Sequence, residues 1–174
     1  MKRRFEVWAF STRTATAFVL TLCAAAVHAQ DESTEHALVV EIGPAAEWPL
    51  HRDRPNYGGN IAAENEVIDN WLELEFGITG LDTSGHREVS GDLLFKKPFR
   101  LSPTVELMLG AGPSVTQTLN GRDKGTSASA EFVLDFMFWP SPRVGWYVEP
   151  AWNVTPGTGQ KSFGVTGGLV IGFP

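Results

Sequence analysis

The chain has 174 residues, 14 basic and 20 acidic side chains, a net charge of −6 and one cysteine. An acidic balance of this size argues against nucleic-acid binding, and a lone cysteine rules out a disulfide framework and a thiolate metal site. Beyond the N-terminal segment no apolar run is long enough for a membrane-spanning helix. The longest uncharged stretch, Leu107 to Gly121, is interrupted by Gly110, Gly112 and Pro113.

Residues 1–29 read as a secretory signal peptide. Lys2, Arg3, Arg4 and Arg13 precede an uncharged run from Thr14 to Gln30, whose apolar stretch, Ala15 to Ala26, is too short to span a bilayer. Val27-His28-Ala29 offers the small final residue that signal peptidase accepts, so cleavage is expected after Ala29. Cys23 follows Leu20-Thr21-Leu22 and not the small residue of a lipoprotein signal, which argues against a lipid anchor. Losing four basic residues and Glu6 leaves 10 basic and 19 acidic side chains, a net charge of −9 for residues 30–174. Nothing in that stretch marks an internal domain boundary.

The mature region alternates with period two, the signature of strands with two unlike faces. Eight segments carry it. Leu38, Val40 and Ile42 oppose Val39, Glu41 and Gly43, and Ile61, Ala63 and Val67 oppose Ala62, Glu64 and Glu66, although Asn65 falls on the apolar face of this second segment. Leu72, Leu74, Phe76 and Ile78 oppose Glu73, Glu75, Gly77 and Thr79. Val89, Leu93 and Phe95 oppose Ser90, Asp92 and Lys96. Val105, Leu107, Leu109 and Ala111 oppose Glu106, Met108, Gly110 and Gly112. Ala130, Phe132, Leu134, Phe136 and Phe138 oppose Ser129, Glu131, Val133, Asp135 and Met137. Val144, Trp146, Val148, Pro150, Trp152 and Val154 oppose Gly145, Tyr147, Glu149, Ala151 and Asn153. The last segment sets Phe163, Val165, Leu169, Ile171 and Phe173 against Ser162, Gly164, Thr166, Gly168 and Gly172.

Alternation does not say which face looks inward, since a soluble barrel or sandwich alternates too. Three features favour a transmembrane barrel. Connections alternate between tight (Asp69-Asn70, Pro98 to Pro103, Pro140 to Arg143) and longer (Pro49 to Asn60, Gly80 to Arg87, Gln117 to Thr126, Thr155 to Lys161), as periplasmic turns and external loops do. Aromatics gather toward the tight-turn ends, with Trp71, Phe95, Phe138, Trp146 and Phe173 forming an expected belt, joined by Phe99 and Trp139. A smaller set, Trp48, Tyr57 and Trp152, lies toward the other end. The polar face is acidic and glycine-rich, which suits a narrow closed interior.

The final alternating strand ending at Phe173, the signal peptide, the absence of cysteine after it and the turn and loop rhythm together resemble small outer-membrane barrels of the OmpX type or the OmpA transmembrane domain. Asp69-Asn70-Trp71-Leu72-Glu73-Leu74-Glu75 and Asp92-Leu93-Leu94-Phe95-Lys96-Lys97-Pro98 also look like an uncharacterised proteobacterial barrel family. The resemblance implies an all-β, eight-stranded antiparallel up-and-down transmembrane barrel, with Phe173 near the C-terminus read by the barrel-assembly machinery. Pro174 follows that aromatic and departs from the pattern. Pro44, Pro113 and Pro150, each removing a ladder donor, are expected to mark bulges toward the outer rim.

The expected inward set is acidic. Glu41, Glu64, Glu75, Asp92, Glu131 and Glu149 form a candidate cation site, and Glu66, Glu73, Lys96, Glu106, Asp135 and Arg143 form a polar cluster at the periplasmic end, with Arg100 beside it. The simplest expectation is a structural network that fills the barrel; a cation-binding or cation-conducting interior is the alternative, and a soluble periplasmic barrel holding an apolar ligand is another. For catalysis, His51 or His86 with Ser84, Asp53 or Asp82 is the only arrangement to consider, and solvated loop side chains are the plainer reading. Mixed charges at Arg52-Asp53-Arg54, His86-Arg87-Glu88 and Arg122-Asp123-Lys124 could meet lipopolysaccharide phosphates or a partner protein. The expectation is a monomeric, non-enzymatic outer-membrane barrel in contact with outer-membrane lipids and lipopolysaccharide, without cofactor or metal.

Overall fold

A computed structural model of the chain describes residues 37–50, 54–83, 86–120 and 124–174. The expected signal peptide (residues 1–29), His36, His51, Arg52, Asp53, Ser84, Arg122 and Asp123 lie outside the described residues.

Eight strands, β1 (Leu38–Pro49), β2 (Asn56–Ile68), β3 (Leu72–Thr83), β4 (His86–Ser102), β5 (Val105–Thr118), β6 (Gly125–Phe138), β7 (Val144–Val154) and β8 (Lys161–Phe173), pair in sequence order. All pairings are antiparallel, and β1 also pairs with β8, so the barrel closes. Closure removes both sheet edges. Inward paired residues followed round the wall from Glu66 run through Glu73, Lys96, Gly110, Val133, Ala151, Gly164 and Glu47, and return to β2 at Asn56, ten residues away. A stagger of this size goes with strands tilted about 40° and an interior that side chains can nearly fill.

The expected faces are the observed ones. Val39, Glu41, Ala62, Glu64, Glu75, Asp92, Lys96, Met108, Val133, Asp135, Met137, Tyr147, Glu149 and Ala151 are buried inside. One apolar side chain per strand illustrates the exterior: Ile42, Ile61, Phe76, Leu93, Leu109, Phe132, Val148 and Leu169, all exposed. Asn65 does stand on the outer face, where its amide donates to the Ala37 carbonyl at the chain's entry into the barrel.

Several connections differ from the expectation. Pro98 to Ser102 are strand, because β4 continues past Lys97 and pairs with β5 down to a turn at Pro103 and Thr104. The Gly80 to Arg87 loop shrinks to residues 84–85, since the ladder runs on to Thr83 opposite His86. The loops on that rim span 50–55, 84–85, 119–124 and 155–160, against 69–71, 103–104 and 139–143 on the other. Polar residues such as Asn60, Thr118 and Thr126 read as loop in a linear pattern, but they line the open end of the interior and extend the strands.

The bulge expectation is overturned. Pairing passes Pro44 toward β2, Pro113 toward β6 and Pro150 toward β8 without interruption, and on the other flank of each the ladder breaks briefly and resumes in the same register. A missing N–H costs a bond but inserts no residue. The register shifts lie at the opposite rim, between Glu66 and Ile68 and between Arg100 and Ser102. Beside Pro113 the strands press together, and a Cβ on Gly112 would fall 1.8 Å from the Leu93 carbonyl oxygen.

Candidate functional site

The interior has two unlike halves. Toward the rim of short turns, Val39 (β1), Met108 (β5), Met137 (β6), Tyr147 (β7) and Val170 (β8) pack into an apolar cluster with Trp139 against it. Trp139 therefore closes the base of the barrel and does not belong to the outer belt. Its N–H donates to the Thr104 carbonyl at 2.8 Å, tying two turns together beneath the cluster. Leu94, Val133 and Ala151 form a second apolar patch.

Above this base lies a buried charge cluster. The Lys96 ammonium is 2.7 Å from Glu149, 3.0 Å from Asp135 and 3.8 Å from Glu64, and it also pairs with Glu75. Lys96 and Asp135 are 0% exposed and Glu41 and Glu64 1%. Period-two alternation aims these side chains inward, and the glycine opposite Lys96 makes the room: a Cβ on Gly110 would sit 2.8 Å from the lysine Cγ. Glu41, Glu64, Glu75 and Asp135 each bring a carboxylate oxygen to one point, all within 4.8 Å of one another. Glu41 Oε1, both Glu64 oxygens and Asp135 Oδ1 are buried with no hydrogen-bond partner.

Toward the other rim the barrel opens into a cavity of about 470 Å³. Its wall is polar, with Asn60, Thr79, Ser90, Ser114, Ser127 and Ser129 among hydroxyl and amide groups, and Asp92, Glu131, Glu47 and Glu88 as carboxylates. Glu75 and Glu149 reach it from the charge cluster and form its floor. Asn153 donates to Glu131 at 3.4 Å, Asn60 donates to Thr79 at 2.9 Å, and the Tyr147 hydroxyl donates to Asn60 at 3.2 Å.

The two groups of site residues expected from sequence are thus redistributed. Lys96 and Asp135 join Glu41, Glu64, Glu75 and Glu149 in one cluster, while Asp92 and Glu131 line the cavity above. Height cannot be read from distance to the next turn, because β4 runs on to Ser102, past the end of its pairing with β3. Glu66, Glu73 and Glu106 stay lower and half-buried, and Glu66 caps the β2 to β3 turn by accepting from the Asn70 N–H, with Asn70 at φ 53°. Arg143 and Arg100 are exposed and enter no ion pair among the described residues. Among the described residues the central cation is Lys96 alone.

On the outer surface Trp71, Phe95, Trp146 and Phe173 are exposed and Phe138 is half-buried. Phe95 stands further up the wall, with Lys97 and Phe99 between it and the β4 to β5 turn. The Lys97 ammonium lies 5.7 Å from the Trp71 ring and 5.9 Å from the Phe99 ring, and donates to the Asn70 carbonyl at 2.7 Å. Sequence reasoning missed Asn60, placed in a loop, and the inward Val170. Counting by two from Gly168 to Gly172 finds Val170, and counting back from Ala62 finds Asn60.

No family model and no curated protein matches the sequence. Its fold does match solved structures. Neisserial surface protein A is 15% identical, with a TM-score of 0.62 over 78% of this chain and 96% of that one. The N-terminal β-barrel domain of Pseudomonas aeruginosa OprF is 14% identical, with a TM-score of 0.58 over 79% and 98%. Ail, the attachment invasion locus protein of Yersinia pestis, is 14% identical, with a TM-score of 0.53 over 80% and 99%. The chain has the fold of small eight-stranded outer-membrane barrels.

Proposed function

We propose that this chain is an integral protein of the bacterial outer membrane that acts through its structure and its exposed surface, without catalysis or conduction. The observation that carries the reading is the closed wall with apolar side chains exposed on all eight strands. In water such an exterior far exceeds the apolar patches that soluble proteins tolerate, whereas a bilayer requires it. A soluble carrier of apolar ligands needs the reverse arrangement, and here the open part of the interior is acidic and hydroxyl-lined.

The apolar base argues against a through pore. Met108, Met137, Tyr147 and Val170 are at most 1% exposed and pack together below the charge cluster, narrowing the base around Glu66, Glu73 and Glu106. The rim of short turns and chain ends faces the periplasm and the loop rim faces outside, as in barrels of this type. Arg54, Arg87, Lys124 and Lys161 near the loop rim suit lipopolysaccharide phosphates, and Phe173 suits recognition by the barrel-assembly machinery. A closed wall needs no partner subunit, so the chain works as a monomer. Ail is named as an attachment protein; a comparable surface role for this chain rests on its loops.

The test is the refolded full chain in lipid vesicles and planar bilayers. Heat-modifiable gel migration, detergent-dependent extraction and electrical silence are expected. Release of the native protein by osmotic shock overturns the membrane reading, and stepwise cation currents overturn the closed interior.

A further inference from the structure

We propose that the buried carboxylates of Glu41, Glu64, Glu75 and Asp135 form a site for one calcium ion, held beside the Lys96 ammonium and loaded through the outward cavity. Four observations carry this. The carboxylate oxygens converge within 4.8 Å of one another, which matches opposite positions on a calcium oxygen shell with bonds of about 2.3–2.6 Å. Lys96 answers only part of the charge, since one ammonium stands against five carboxylates once Glu149 is included. Among the buried carboxylate oxygens without a hydrogen-bond partner, Glu41 Oε1, Glu64 Oε2 and Asp135 Oδ1 also make no ion pair with Lys96, on side chains at most 1% exposed. Buried carboxylate oxygens left unpaired are costly, and a hard divalent cation satisfies several of them at once. Access is provided because Glu75, one of the four, also lines the cavity floor. Magnesium, which demands a tighter and near-octahedral shell, fits this spread less well.

The site depends on the barrel fold and not on the proposed surface role or on electrical silence. The refolded full chain, stripped with chelator in zwitterionic micelles, is titrated with calcium chloride by calorimetry in potassium chloride. One equivalent of calcium is expected to bind, magnesium more weakly, and calcium should raise the urea midpoint of unfolding. Glu41→Gln, a ligand without contact to Lys96, should weaken binding roughly tenfold or more while keeping heat-modifiable migration; Glu64→Gln is the second variant if the first does not fold. Glu131→Gln, in the cavity wall outside the chelate, should bind as the parent does. No calcium heat above the micelle blank, or undiminished binding by a folded Glu41→Gln or Glu64→Gln, overturns the site. A conducting barrel that still binds calcium would overturn the closed interior and leave the site standing.

Discussion

Replacing Lys96 by Met keeps most of the apolar stem of the side chain, one atom shorter, and removes its charge, leaving Glu64, Glu75, Asp135 and Glu149 without the cation they share. At an effective dielectric constant near 20, the separations of 2.7, 3.0 and 3.8 Å correspond to about 4–6 kcal/mol of attraction each. Most of that attraction offsets the desolvation of burying the groups, so the net loss is far smaller than the gross one. Removing one partner of a buried pair costs about 3–5 kcal/mol. Because four carboxylates lose their cation together, the upper end, about 5 kcal/mol, is expected. The assay is urea unfolding of the refolded barrel in lipid vesicles, followed by tryptophan fluorescence and by the fraction of heat-modifiable band. Lys96→Met combined with Glu75→Gln should recover part of the loss, since it removes one orphaned charge. A loss below about 1 kcal/mol, the range of an exposed pair, would refute the view that Lys96 holds the cluster together.

Phe132→Lys, at the middle of β6 on the outer face, should cost about 2–4 kcal/mol in vesicles; a neutral effect would show that this face does not meet lipid. Gly112→Val should prevent closure, because its Cβ would stand 1.8 Å from the Leu93 carbonyl oxygen; a heat-modifiable band of parental intensity counts against the close strand approach. A double-mutant cycle between Lys97 and Trp71 should give a coupling of about 0.5–1 kcal/mol, and additive losses would show that the ammonium does not lie on the ring in solution.

Much of the site was legible one residue at a time. Period two assigned Glu41, Glu64, Glu75, Asp92, Lys96, Glu131, Asp135 and Glu149 to the inner face, and all are there. It could not say which of them meet. Asp135 is expected with Lys96 and Arg143 near the turns; it does pair with Lys96, but higher up among Glu64, Glu75 and Glu149, while Arg143 faces solvent. The prolines show the same limit: a missing donor is visible in sequence, but whether the neighbouring strand answers with an inserted residue or a local gap depends on both ladders.

Sequence by itself determined the strands, the two faces of each and the sign of the interior charge, because side-chain direction in a strand alternates with a period of two whatever surrounds it. Only the tertiary structure decided the heights. The ten-residue stagger around the wall lifts each strand relative to the last, so one lysine comes to stand among carboxylates from β2, β3, β6 and β7. That stagger is a property of closure, shared among all eight strands and written in none of them.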